Sequence, residues 1–288
     1  MTTVFMPLVM NEFVVEEEEK MTLPNKGTYF PNPNDKRVFG IDISGNQGNI
    51  NFDKINTSTN FPKVRFIIAR TGISWAYKDA WFETYWQRMK QINVVRMAYH
   101  VLYPKENIKA QVDNMASRFS NKEFDGDGIT ADVELIHDAS REQMSNATYE
   151  FVNRLRDWSK MPTFIYSRFQ FVNDQFSLSD SWLKWYEQQY WHMANYSKTL
   201  MEFPTSNIWY PRDYMKSWKL LMHQTGEKGD GKHIGTVSAQ VDTDRWCLSD
   251  LAFDMMFKVQ APVEPPVVIP PTLEQKVDRL WEIHPELH

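Results

Sequence analysis

The chain has 288 residues, 42% of them hydrophobic and 14% aromatic, with 32 Lys and Arg against 37 Asp and Glu for a net charge of −5. That length and apolar content support one large domain or two small ones and exclude a disordered chain, while the acidic balance without a basic block argues against a nucleic-acid partner. The single cysteine, Cys247, rules out an intrachain disulfide, and without a CxxC pair or His/Cys ligand spacing no metal or cofactor is expected. The 11 Trp and 12 Tyr fill cores first, but such rings also stack on the apolar faces of ligands, sugar rings included.

Residues 1–36 read as an N-terminal extension. The opening MTTVFMPLVMNEFVVEEEEK lacks the positive flank and small-residue cleavage site of a signal peptide. Its Glu16–Glu19 run is a solvated charge cluster, and NKGTYFPNPNDK is dense in turn formers. No stretch approaches the roughly 18 apolar residues of a membrane span.

Residues 37–258 form the body of the chain. Short β-rich runs recur at 38–44, 64–71, 94–101, 128–135, 163–167, 191–196, 219–225 and 236–242. Between them AWFETYWQRMKQ, ENIKAQVDNMASRF and SREQMSNATYEFVNRLRDW carry apolar residues at helical spacing. Alternating strands and amphipathic helices predict a mostly parallel sheet. The fold class is therefore α/β, an irregular TIM-like (β/α) barrel with about eight strands and fewer full helices.

In such barrels the active site gathers at the C-terminal ends of the strands. There this sequence places Asp42, Arg70, His100, Asp132, Glu134, Tyr166, Asn195 with Tyr196, Gln224 and Asp242. In GITADVELIHD, Asp132 and Glu134 stand two apart and so point to the same side of a strand, with Val133 facing the outer layer. Two carboxylates held close in a partly desolvated cleft cannot both ionise easily, so one is raised. A raised acid beside an ionised partner suits glycosidic bond cleavage. D-x-E is also a common tripeptide of loops and caps; its place after an apolar strand, with Asp42 and Asp242 at two other strand ends, favours the catalytic reading. His100 has no Ser or Cys nucleophile elbow beside it and reads as a structural, hydrogen-bonded histidine.

These residues carry a family resemblance. FGIDISGNQGNINF, with Gly40, Asp42, Ser44, Gln47 and Gly48, resembles the opening of the glycoside hydrolase family 25 lysozymes, the Chalaropsis-type muramidases. FIIARTG, MAYHVLY, ADVEL, FIYS and YWHMANY are similar to their successive strands, and HQTGEKGDGKHIGTVSAQVDTDRW to their closing segment, so the likeness runs from Val38 to about Trp246. It implies an irregular β/α barrel that cleaves the β-1,4 bond between N-acetylmuramic acid and N-acetylglucosamine in bacterial peptidoglycan. It implies Glu134 as general acid and Asp132 as the residue that orients the substrate 2-acetamido group, in a substrate-assisted reaction. Asp42 and Asp242 would hold the −1 sugar and its network; Tyr99, Tyr166, Trp191, Gln224, Arg70 and Asn195 are the substrate-binding candidates. No metal or cofactor is implied. The sequence departs from the pattern at His223, where the family has Trp, and at Asp244, where its closing D-x-N has Asn.

FDGDGITADVE is also similar to the acidic strand of family 18 chitinases, but the spacing is wrong and Asp42 has no role there. A non-catalytic wall-binding or virion structural protein on the same barrel is the alternative from another class; keeping all four carboxylates argues against it. Residues 259–271, with the run APVEPPVVIPP, form a Pro-rich linker. Residues 272–288 predict a short amphipathic helix, with Thr272 and Gln275 as a capping box and Leu273, Val277, Leu280, Trp281 and His284 on one face. So short a helix docks on a particle or self-associates. A muramidase-like barrel with such a tail and no evident signal peptide points to a phage-type endolysin, released from the cytoplasm at lysis or carried on a virion.

Overall fold

The computed structural model of the chain describes residues 27–28, 31–57, 61–119, 126–196 and 212–259. Its strands are β1 (Phe39–Ile43), β2 (Val64–Ile73), β3 (Tyr77–Lys78), β4 (Val95–Val101), β5 (Gly128–Asp132), β6 (Thr163–Arg168), β7 (Tyr190–Ala194), β8 (Lys219–Asp230) and β9 (Gln240–Trp246). Among the described residues the α-helices are α1 (Phe82–Gln91), α2 (Ile108–Ala116), α3 (Arg141–Ser159), α4 (Phe169–Gln175), α5 (Asp180–Gln188) and α6 (Asp250–Met256). The Pro-rich linker and C-terminal helix expected after Val259 lie outside the described residues, as do residues 1–26 and 29–30.

Every strand except β3 belongs to a closed ring, because β1 pairs with both β2 and β9. The pairings from β1 round to β8 are parallel, so these strands present their C-terminal ends at one mouth. β9 is antiparallel to both its neighbours and offers its N-terminal end there. This corrects the expected strand at 236–242. β8 continues through irregular register to Asp230, and the connection 231–239 folds tightly on itself, with Gly231 and Ala239 hydrogen-bonded. A link of that length is shorter than the dozen or so residues a parallel crossover needs, so the chain returns antiparallel. Helices α4, α5 and α6 and the β2–β3 hairpin had no counterpart in the expected elements.

Alternation sorts the strand residues into two cores. Outward residues such as Ile41, Ile67, Ala98, Ile129, Val133, Ile165 and Trp191 meet the surrounding helices. α1 contributes Phe82, Tyr85 and Met89, and α3 contributes Met144, Ala147, Phe151, Val152 and Leu155, each set spaced at three and four residues. α3 starts in a reciprocal capping box between Ser140 and Gln143 and stops at Lys160, whose φ of 58° is left-handed.

Inward residues fill the lower barrel. Phe66, Met97, Phe164, Met222 and Trp246 pack there with Phe253 and Phe257, so that α6 and the residue after it plug the end remote from the mouth. The rings of Phe164 and Trp246 lie 6.3 and 5.8 Å from that of Phe257. Gly40 belongs to this layer because a Cβ there would sit 2.3 Å from the Phe66 ring. The plug is therefore structural: Phe253→Ala is expected to destabilise the fold by about 3–5 kcal/mol. Denaturant unfolding checks this, with an unchanged m-value marking a loss of stability rather than a change in compactness.

Candidate active site

Above the apolar plug the inner faces of most strands turn polar. β1 delivers Asp42, β5 delivers Asp132 with Glu134 just beyond its end, and β9 delivers Asp242, the register partner of Asp42. All four carboxyls line one open-mouthed cavity of about 370 Å³. Tyr99, Tyr166 and Gln224 line its walls, and Ile68, Thr130 and His192 its deeper part. Val133 is buried against the outer helices, as alternation requires.

The walls are fixed by hydrogen bonds. Tyr166 donates its hydroxyl to Gln224 Oε1 at 2.8 Å, and Tyr196 donates to the same oxygen. Gln224 Nε2 then donates to Asp42 Oδ2, so two hydroxyls and one carboxylate fix the orientation of the amide. Burial pushes the Tyr99 and Tyr166 phenols well above their ordinary value, which keeps both neutral. Asp132 lines the cavity, is only 5% exposed, and its Oδ1 has no hydrogen-bond partner among the described residues.

Electrostatics follow from crowding acids in a dry space. Burial raises Asp132 well above the ordinary carboxylate range, the Glu134 charge adds to this, and Arg70 and Arg168 oppose it. Burial also raises Glu134, with Arg168 pulling the other way. Asp42 is raised by burial and by Asp244, and Asp242 by burial and by Asp42. The cavity therefore holds protons that exposed carboxyls would have released.

Three expected substrate-binding residues stand elsewhere. Trp191 is fully buried in the outer layer, stacked on Trp218 at 4.6 Å, with its indole N–H donated to the Tyr186 carbonyl. Alternation along β7 gives the inward place to His192 instead. Arg70 is held by buried Asp79 at 2.9 Å and lies over the Tyr77 ring; it acts on the cavity through its charge and is not part of its lining. Asn195 gives its backbone to β8, the N–H to the Gln224 carbonyl and its own carbonyl to His223 Nε2, and does not line the cavity. Of the two departures from the family pattern, His223 faces outward against Arg37, while Asp244 lies beneath the carboxylates. His100 is buried between Thr71 and the Ser74 carbonyl, and burial lowers it to about 4, which fits its structural reading. The Ser44–Gln47 pair of the opening motif is a reciprocal cap on the short turn that follows β1.

A sequence model of the glycosyl hydrolases family 25 matches residues 41–221, which hold three of the four clustered carboxylates and most of the ring of strands. The chain belongs to that family. This family 25 member is thus a glycoside hydrolase of the lysozyme type, a class whose function is peptidoglycan hydrolysis. Its fold is similar to that of the bacterial lysozyme from Streptomyces coelicolor, at 21% identity and a TM-score of 0.61 over 78% of this chain and 100% of that one. It is similar also to a muramidase from Trichobolus zukalii, at 22% identity and a TM-score of 0.58 over 77% and 99% of the two chains. An endolysin catalytic domain from a bacteriophage of Listeria monocytogenes gives 14% identity and a TM-score of 0.55 over 76% and 97%. No curated protein matches the sequence.

A carboxyl raised on folding stabilises the protein fully below its unfolded value near 3.8, and that contribution is lost as pH rises through the folded value. Asp132→Asn is therefore expected to raise the melting temperature at pH 7, by about 2–4 °C per kcal/mol relieved, with the gain shrinking toward pH 4. Thermal unfolding of both proteins across pH checks the sign.

Proposed function

We propose that the chain cleaves the β-1,4 bond between N-acetylmuramic acid and N-acetylglucosamine of bacterial peptidoglycan, with Glu134 as general acid and Asp132 assisting the substrate's acetamido group. The observation that carries this reading is the Asp132–Glu134 pair at the mouth of the cavity, both members raised but unequally placed. Glu134 lies nearer solvent and holds a proton above the ordinary carboxylate range, which suits transfer to the departing glycosidic oxygen. Asp132 lies deeper, and its Oδ1, without a hydrogen-bond partner among the described residues, can accept from an acetamido N–H. That hydrogen bond makes the acetamido oxygen a better nucleophile toward C1. As the C1–O bond breaks, Glu134 gives its proton to the leaving oxygen, and the acetamido oxygen bonds C1. Water then attacks C1, Glu134 takes one of its protons, and the ring closed through the acetamido group reopens. Positive charge developing at the sugar ring is met by the carboxyl, amide and hydroxyl oxygens that line a water-poor space. Asp42 and Asp242, with Gln224, Tyr99 and Tyr166, would hold the −1 sugar through their fixed polar atoms.

Glu134→Gln is expected to lower turnover by about 10²–10⁴-fold, measured as turbidity loss and reducing-end release from purified peptidoglycan, while wall binding is kept. Because Glu134 must enter the reaction protonated, wild-type activity falls as pH rises through its value. Binding without turnover in the wild-type protein as well would sink the hydrolase reading in favour of a wall-recognition part.

Delivery as a phage endolysin or on a virion belongs to this proposal, supported by the similarity to an endolysin catalytic domain. Residues 262–288 are proposed to attach the enzyme to the wall or to another chain. Their deletion is expected to leave turnover of soluble glycan intact while weakening wall retention or changing oligomeric state. An unchanged result in both assays removes that role.

A further inference from the structure

At the end of the barrel remote from the cavity, α6 is apolar on two opposite faces. Phe253 and Phe257 turn inward and plug the strands, with Met256 packed beside them. Leu251 and Met255, each two residues earlier and so about 200° round the helix, are 69% and 74% exposed. Leu248 just before the helix and Val259 just after it are exposed as well, at 48% and 37%. Val259 is held close to α6 by its N–H, which donates to the Asp254 carbonyl across left-handed Lys258. Single exposed apolar residues are ordinary, but four along one short helix form a patch of the kind that marks a contact surface.

The sequence that continues from Val259 supplies a matching face. Residues 272–288 predict an amphipathic helix with Leu273, Val277, Leu280, Trp281 and His284 on its apolar side. Lys276 and Arg279 fall on one edge of that side, and Glu274 and Asp278 on the other. The α6 stripe carries the complement to the basic edge. Asp250 and Asp254 border it, with side chains 67% and 37% exposed, and share Arg65 at 3.8 and 2.6 Å. A helix as short as the tail's is marginal in water until its apolar side is covered. The linker decides whose α6 covers it. Residues 260–271 hold five prolines, and an extended Pro-rich segment rises about 3.1 Å per residue, on the order of 37 Å in all. α6 is only about 10 Å long, so such a spacer carries the tail past its own stripe.

We propose that the exposed stripe of α6 is the docking surface for residues 272–288 of a second copy of this chain, and that the exchange is reciprocal, giving a two-fold dimer. Leu251 and Met255 form the centre of each contact, and Lys276 and Arg279 of each tail meet the Asp250–Asp254 edge of the other barrel. Because α6 closes the end opposite the mouth, both cavities stay open to glycan. The proposal goes beyond the hydrolase reading and holds whether or not the barrel turns over.

The test is the mass of the full chain in solution, by sedimentation or light scattering across micromolar concentrations. The wild-type protein is expected at twice the chain mass. Leu251→Glu with Met255→Glu places good helix formers on an exposed face and is expected to halve the mass, with near-UV circular dichroism showing the barrel intact. Leu280→Glu with Trp281→Glu is expected to halve it from the other side of the contact. Cross-linking then identifies the two partners. In a Cys247→Ser background, chains carrying Met255→Cys are mixed with chains carrying Trp281→Cys and treated with a short bis-maleimide. A product joining one chain of each kind supports the proposal. A monomeric wild-type protein, a dimer that survives either double substitution, or a product joining only like chains, as α6 against α6 would give, overturns it. So does a chain carrying both cysteines that closes the link within itself. None of these readouts needs turnover, so an inactive wild-type protein would count against the hydrolase reading alone.

Discussion

Four carboxyls share the mouth of one barrel and a fifth lies beneath them, in a space too dry for all to ionise. Much of the surrounding structure answers that constraint. Asp79 ties down Arg70 by a direct ion pair and so keeps the guanidinium out of the cavity lining, while its charge still reaches Asp132. Arg168 tempers Asp132 and Glu134 from β6. Two tyrosine hydroxyls and one glutamine amide hold Asp42 in place without adding charge. What results is a reservoir of protons positioned where a leaving group can draw on one.

The barrel divides the labour along its axis. Its lower half is apolar, rich in aromatic rings and closed by α6. Its upper half is polar, crowded and unfavourable, stable only because the lower half and the helical layer hold the strands in place. Such a division is the usual relation between an active site and the fold that carries it: the strained chemistry is borne by packing elsewhere.

Much of this was legible in the sequence, and most of the failures turned on tertiary pairing. Asp132 and Glu134 could be assigned to one face because side chains alternate along a strand, and the strand itself was marked by its apolar run. The same alternation applied to YWHMA would have turned Trp191 outward and His192 inward. The family resemblance instead drew attention to the larger aromatic, which packs on Trp218. Arg70 was placed at the correct strand end, yet its partner Asp79 stands on the far side of a hairpin that has no period to read. The direction of β9 depended on how tightly residues 231–239 fold back, a tertiary matter that leaves only Gly and Asp as local traces. Asp244 was visible as a departure from a pattern, but its closeness to His192 depends on the register of strands far apart in the chain.

β9 also carries a hazard. Its inward residues are Asp242, Asp244 and Trp246, and the outward residue between the last two is Arg245. A slip of one residue would exchange the faces, withdrawing both acids and driving a guanidinium into the barrel. Arg245 is instead clasped outside, donating to the carbonyls of Asn32, Asp35 and Arg37 and lying over the Phe39 ring at 4.6 Å. Residues 32–37 thus supply a socket that fits Arg245 only when β9 stands in its native register. The segment that looked like a mere preface to the barrel is thereby tied to the register of its last strand.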